Sequence, residues 1–211
     1  METLERLSRL LQEGDDAGVD TLTRELVAES VPAARILDAL LAGMAVVGGQ
    51  FERREIFLPD VLLAARAMRA AMAHLQPLLA AQGVPGGPKI VIGTVSGDLH
   101  DIGKNLVGIM LQGAGFDVVD LGSDVAAERF VDSAVAAGAR VIGLSALLTT
   151  TMAHMRDVVE LLERRGLRGR IFTVVGGAPV TEAFARSIGA DAYAGDASGA
   201  AASVRALLAR A

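Results

Sequence analysis

Only three imidazoles, His74, His100 and His154, and no thiol are available to this chain of 211 residues for metal chemistry. The absence of cysteine excludes disulfides, thiolate zinc sites, iron–sulfur clusters and cysteine nucleophiles, and leaves the redox compartment open. A site with several histidine ligands would need all three rings to converge. The most informative ring lies in Ser96-Gly97-Asp98-Leu99-His100-Asp101-Ile102-Gly103-Lys104-Asn105. With Asp98 two residues before it, His100 can offer one ring nitrogen to a metal while the other donates to the carboxylate. Such a pairing fixes the tautomer and raises the basicity of the ligand. Gly103 would let a bulky ligand approach the backbone. A plainer reading of the same residues has Asp98 and Asp101 capping the next helix and His100 at the surface. Another borrows the Asp-x-His of metal-dependent phosphoesterases, which need more histidines and acids on neighbouring strand ends. A phosphate loop is excluded, because Gly103-Lys104-Asn105 lacks the hydroxyl that binds magnesium.

Two kinds of pattern must position this loop. Up to about Ala81 the apolar residues recur at helical spacing: Leu4, Leu7, Leu10, Leu11; Leu22, Leu26, Val27; then Ile36, Leu37, Leu40, Leu41, Met44 and Val47. Asp15 or Asp16 can cap a second helix, and Pro32 and Pro59 suit the first turns of a third and a fourth. The expectation is a four-helix bundle over residues 1–82. Gly83-Val84-Pro85-Gly86-Gly87-Pro88 then reads as a linker, 83–88. From 89 to 211, strands expected at 89–95, 117–121, 140–145, 170–175 and 191–194 alternate with helices near 102–112, 126–137, 152–165 and 181–187 and one from Ala197 onward. That alternation predicts an α/β fold, a flavodoxin-like doubly wound sheet of five parallel strands. Its ligands would sit on the loops at the carboxyl ends of the strands.

Composition removes several function classes. A formal charge of −5, a pI near 5.2 and 3% aromatic residues leave no basic groove or stacking platform for nucleic acid. The 52% hydrophobic content and mean hydropathy of +0.43 raise the question of a membrane, but the longest stretch without Asp, Glu, Lys or Arg, 70–88, holds three prolines and is no ordinary spanning helix. The N-terminal residues mix acids and bases through their apolar positions, unlike a secretory signal, so a cytoplasmic location is expected.

Taken together, the strand-end loops carry a longer pattern: Asp98-x-His100-x-x-Gly103 after the first strand, Ser145-x-Leu147 after the third, and Gly176-Gly177 after the fourth. In this order the pattern resembles the cobalamin-binding module of methionine synthase, of the cobalamin-dependent mutases and of the corrinoid proteins of methyltransferase systems. The resemblance implies cobalamin, or another corrinoid, bound base-off and His-on, with its nucleotide tail in a slot beside the sheet. His100 would be the lower cobalt ligand, Asp98 its hydrogen-bond partner and Thr151 the hydroxyl behind Asp98, where methionine synthase has a serine. Leu99, Asp101, Ile102 and Gly103 would also be among the cofactor-binding residues. Ser145, Leu147 and Thr149 would line the tail slot, with Gly176, Gly177 and Ala197 allowing close approach.

Gly43-Met44-x-Val46-Val47-Gly48-x-x-Phe51, Phe57-Leu58-Pro59 and Ala64-Ala65-Arg66-Ala67-Met68 are similar to the helical cap that accompanies the module in methionine synthase and in methanol and methylamine corrinoid proteins. By this resemblance Phe51, Leu58 and Val61 would cover the methyl-bearing face, with Met44 and Val47 nearby; the last two also fit the inward stripe of their own helix. A cap of this kind has to swing aside to admit partners, on the Gly/Pro linker. The implied function is that of a methyl carrier, taking a methyl group on cob(I)alamin through a donor-side methyltransferase and passing it on through an acceptor-side methyltransferase. His100 would release the cobalt and take up a proton in each cycle, buffered by Asp98. With no folate, homocysteine or activation domain in view, the carrier is expected to stand alone and to rely on a separate corrinoid-reactivating protein. The rival is a cobalamin-dependent sensor or regulatory binding module; such caps characteristically supply a tryptophan, and this chain has none.

Overall fold

The computed structural model describes residues 2–82 and 87–209. Most of the linker expected at 83–88 therefore lies outside the described residues. The chain divides into two compact units, one formed by Met1–Gly87 with Gln112–Gly115 and the other by Pro88–Leu111 with Phe116–Ala211.

The first unit is helical: α1 (Glu2–Gln12), α2 (Asp16–Ala28), α3 (Ala33–Glu52) and α4 (Leu58–Ala81). Asp15 starts α2 by accepting the Gly18 amide at 2.9 Å, and Asp60 accepts the Phe57 amide at 2.8 Å at the head of α4. Pro59 stands in the first turn of α4, whereas Pro32 occupies the cap position just ahead of α3, where its missing N–H leaves no helical bond unmade. α4 runs on through Pro77 to Ala81. α1 packs on α3, α2 on α4, and α3 on α4. Among the described residues α3 is the one helix long and apolar enough to cross a membrane by length and composition. Its Ile36, Leu40, Met44 and Val47 are at most 4% exposed and form its inward stripe, whereas Val46 stands 43% exposed outside it.

The second unit alternates β1 (Lys89–Thr94), α5 (Ile102–Gly113), β2 (Asp117–Asp120), α6 (Ala127–Ala137), β3 (Val141–Ser145), α7 (Ala153–Arg164), β4 (Phe172–Gly176), α8 (Glu182–Ser187), β5 (Ala192–Ala194) and α9 (Ala197–Ala209). The five strands lie in the order β2-β1-β3-β4-β5, all parallel. This is the doubly wound sheet that the alternation predicts. Ile90, Val91 and Ile92 on β1 are all buried, as an inner strand with helices on both faces requires. Beneath α6 and α7, Phe130, Ile142, Met155 and Leu162 are fully buried and form part of one core. Strand limits move by a residue or two from those expected. β4 starts at Phe172 and extends into Gly176, because Gly176 still finds Ser145 on one side and Ala194 on the other. β1 and β3 adjoin, yet the chain leaves β1 toward β2 and later returns to the other side. Their carboxyl ends therefore mark the topological switch point where such sheets receive ligands.

Candidate cofactor site

The sheet register brings Thr94, Ser145, Gly176 and Ala194 into one row across the carboxyl edge. From this row rise the loop after β1, with Asp98 and His100, and the loop after β3, with Leu147, Thr149 and Thr151. Two features shape the first loop. Gly97 turns in the left-handed region at φ 76°, and Asp124 accepts its amide at 2.7 Å while donating its own amide to the Asp98 carbonyl at 3.0 Å. The loop is thus clipped to the segment after β2.

Asp98 is the hub. Its carboxyl is fully buried, and one oxygen accepts the His100 ring Nδ1 at 2.8 Å and the His100 amide at 3.1 Å. The other accepts the Leu147 amide at 2.7 Å, the Leu148 amide at 3.2 Å and the Thr151 hydroxyl at 2.8 Å. Burial pushes the carboxyl up, but the Leu147 amide, the His100 ring and amide and the Thr151 hydroxyl outweigh it and hold Asp98 well below the usual carboxylate range. An ionised carboxylate only accepts, so Nδ1 carries the hydrogen of this contact. Nε2 is then the free lone pair of the neutral ring, on a side chain that is 51% exposed.

The other two rings are engaged elsewhere. His74 meets Asp20 at 2.6 Å and His154 meets Asp157 at 2.9 Å. Among the described residues no group of three His, Asp or Glu side chains could hold a metal ion. The two-metal reading of Asp-x-His therefore finds no donor set there. What the loop offers is a single imidazole nitrogen, which suits a metal whose remaining ligands arrive with it.

The surroundings fit a corrinoid. Leu99 is 76% and Ile102 81% exposed, and Leu147 and Leu148, whose amides meet Asp98, stand out at 43% and 42%, so apolar side chains lie open on both loops that carry the site. A Cβ built at Gly103 meets no atom within 4 Å, so nothing in the protein itself demands glycine there, and the space lies open. Asp101 accepts the Asn105 side chain at 3.1 Å in the first turn of α5. Ser145 and Gly176 are half-buried at the strand ends, Thr149 is exposed, and Ala197 is buried at the start of α9. The paired glycines have a reason inside the protein: a Cβ on Gly177 would lie 1.9 Å from the Ala146 carbonyl oxygen, and one on Gly176 2.8 Å from that of Ala194. Gly177 also has φ 130°. Gly177→Ala is therefore expected to destabilise the protein without cofactor by about 2–4 kcal/mol. An unchanged urea midpoint would refute this.

In the helical unit Leu58 is 37% exposed and Phe51 half-buried. Val61, grouped with them from the sequence, is fully buried, since Val61, Ala64, Ala65 and Met68 make the inward stripe of α4. Met44 and Val47 are also buried and present no open surface. Sequence reasoning missed Thr94, Asp124 and the pair of a buried Lys104 with an exposed Asp120. The Lys104 ammonium, on a residue 4% exposed, lies 2.7 Å from Asp120 Oδ1 and 2.6 Å from Asn105 Oδ1, tying α5 to the end of β2. Only Thr94 left a signal, as a hydroxyl ending a run of buried apolar residues.

Comparison with known proteins agrees with this geometry. Residues 88–205 match a family model described as a B12 binding domain, and residues 3–76 match a second model of the same description. The chain is 42% identical over 198 residues to a corrinoid protein of Desulfitobacterium hafniense strain Y51, covering 92% of each. It is 47% identical over 207 residues to dimethylamine corrinoid protein 3 of Methanosarcina acetivorans, covering 94% of this chain and 97% of that one. Among solved structures, the methanol:cobalamin methyltransferase complex of Methanosarcina barkeri aligns over 100% of this chain and 81% of its own, at 30% identity and a TM-score of 0.88. A cobalamin-binding protein from Desulfitobacterium hafniense DCB-2 aligns over 97% and 98%, at 32% identity and a TM-score of 0.80. The free imidazole nitrogen, the open apolar side chains on the two loops and these relatives converge: the chain belongs to the corrinoid proteins of methyltransferase systems and binds a cobalamin-type cofactor.

Proposed function

We propose that this protein is a methyl carrier in which His100 is the lower axial ligand of a base-off cobalamin. The observation that carries this reading is the Nδ1–H bond to a buried, ionised Asp98, which leaves Nε2 as the one ring atom able to coordinate. Bound cobalamin supplies a cobalt that accepts and releases a methyl group. The chain's own residues do the rest. Asp98 orients the ring and can stabilise it if it takes up a proton on leaving the metal; the Leu147 and Leu148 amides and the Thr151 hydroxyl keep Asp98 charged. Leu99, Ile102, Leu147 and Leu148 would exclude water from the bound cofactor, and the loops near Ser145, Thr149, Gly176, Gly177 and Ala197 would hold its nucleotide tail.

The relatives named for dimethylamine and for the methanol:cobalamin methyltransferase complex support a partner of the same kind. Two methyltransferases, one for the donor and one for the acceptor, and a corrinoid-reactivating protein complete the proposed system, with donor selectivity residing in the partner enzyme. The test is methyl transfer from dimethylamine or methanol to the reduced, reconstituted protein, catalysed by the corresponding relative's methyltransferase and followed by cofactor absorbance. Methylation that requires the partner enzyme is expected. Absence of transfer from either donor, together with a cofactor-dependent change in binding to another macromolecule, would favour the sensor reading.

A further inference from the structure

Thr94 ends β1 with its side chain completely buried, after Ile90, Val91 and Ile92, where the pattern otherwise calls for apolar residues. Its Oγ1 donates to the His100 carbonyl at 2.9 Å. The Thr94 backbone is committed elsewhere, its N–H to the Gly122 carbonyl at 2.9 Å and its carbonyl to the Val125 amide at 3.0 Å. Both N–H groups of His100 that face inward, the amide and Nδ1–H, already go to Asp98. With the carbonyl held by Thr94, Nε2 is the only polar atom of His100 with no protein partner among the described residues.

The two anchors differ in kind. Asp98 grips the ring and the amide, and its hold on the ring depends on what the ring is doing. Thr94 grips the main chain and is indifferent to it. We propose that Thr94 is a positioning residue, fixing the His100 main chain at the end of β1 so that Nε2 keeps its reach to cobalt; the inference rests on the axial-ligand reading above. Valine matches threonine in shape but removes the donor and leaves the His100 carbonyl unanswered, whereas serine retains the donor.

The experiment uses protein labelled with [15N]histidine, reconstituted with unlabelled hydroxocobalamin, reduced to cobalt(II) and examined by electron paramagnetic resonance. A labelled axial imidazole splits the cobalt signal into doublets, and the vitamin's own 14N base into triplets. Wild type and Thr94→Ser are expected to show doublets throughout. In Thr94→Val the fraction of cobalt carrying doublets should fall, with the His-on to His-off ratio lowered about fivefold, the scale of one lost hydrogen bond. Full doublets in Thr94→Val, or a Thr94→Ser variant that behaves like Thr94→Val, would overturn the inference. Wild type without doublets, indistinguishable from His100→Ala, would instead remove the axial-ligand reading and this inference with it. Should Thr94→Val fail to fold by circular dichroism, the wild-type hydroxyl proton can be sought directly by nuclear magnetic resonance. A slowly exchanging Thr94 hydroxyl supports the anchor, and a freely exchanging one overturns it.

Discussion

His100→Ala is expected to leave the fold of the cofactor-free protein intact while removing nitrogen coordination from the reconstituted one. The ring is half-exposed and contributes one of the bonds to Asp98, whose remaining partners, the His100, Leu147 and Leu148 amides and the Thr151 hydroxyl, survive the change. Loss of a single such bond costs about 1 kcal/mol, so the thermal midpoint should shift by a few degrees at most. The effect on the cofactor is larger because His100 is the one histidine on the loop after β1; His74 lies within α4 and His154 within α7. Cobalamin affinity is expected to fall at least about tenfold, equivalent to 1.4 kcal/mol. The visible spectrum of the cobalt(II) form should change with it. A His100→Ala protein with wild-type affinity and an unaltered cobalt(II) spectrum would show that the imidazole is not the ligand.

Asp98→Asn, unlike His100→Ala, is expected to damage the protein even before cofactor is added. The carboxylate is completely buried and answers five donors, three of them amides fixed by the backbone. An asparagine keeps the shape but turns one oxygen into an NH2 group, which faces donors on either side. At least one buried donor is left without an acceptor, at a cost of about 3 kcal/mol. The pH dependence follows from the lowered pKa. Asp98 is held below its unfolded value of about 4, so its stabilisation is fully present above that pH and drains away as pH falls through and beyond it toward the folded value. The gap in unfolding free energy between wild type and Asp98→Asn should therefore narrow as pH falls below about pH 4. Parallel pH profiles down to pH 3, measured by urea denaturation without cofactor, would contradict the assignment of a charged Asp98.

The elements that carry this site were legible because their signals are local. Helical spacing over Leu7 and Leu11 or Ile36 and Leu40, β-branched runs at Ile90–Ile92 and Val174–Val175, and loops between them can be read a few residues at a time. Asp98 and His100 are only two residues apart, so their pairing needs little more than a turn. The burial of Val61 is not legible in the sequence, because Leu58 and Val61 differ by less than one turn of α4 and only packing decides which of them leaves the core. Thr94 and Asp124 escaped because each acts through a hydrogen bond to a loop whose path is set by other strands.

By itself the sequence determined that strands and helices alternate after a helical half, that one histidine stands on the first strand-end loop, and that its ring has a carboxylate within reach. Tertiary structure alone decided that β1 lies beside β3, and so that amides and a hydroxyl some fifty residues away close over Asp98 and choose which nitrogen of His100 stays free. The reason is physical: a ring's tautomer is fixed by the charge and burial of its partner, and both are properties of the sheet order.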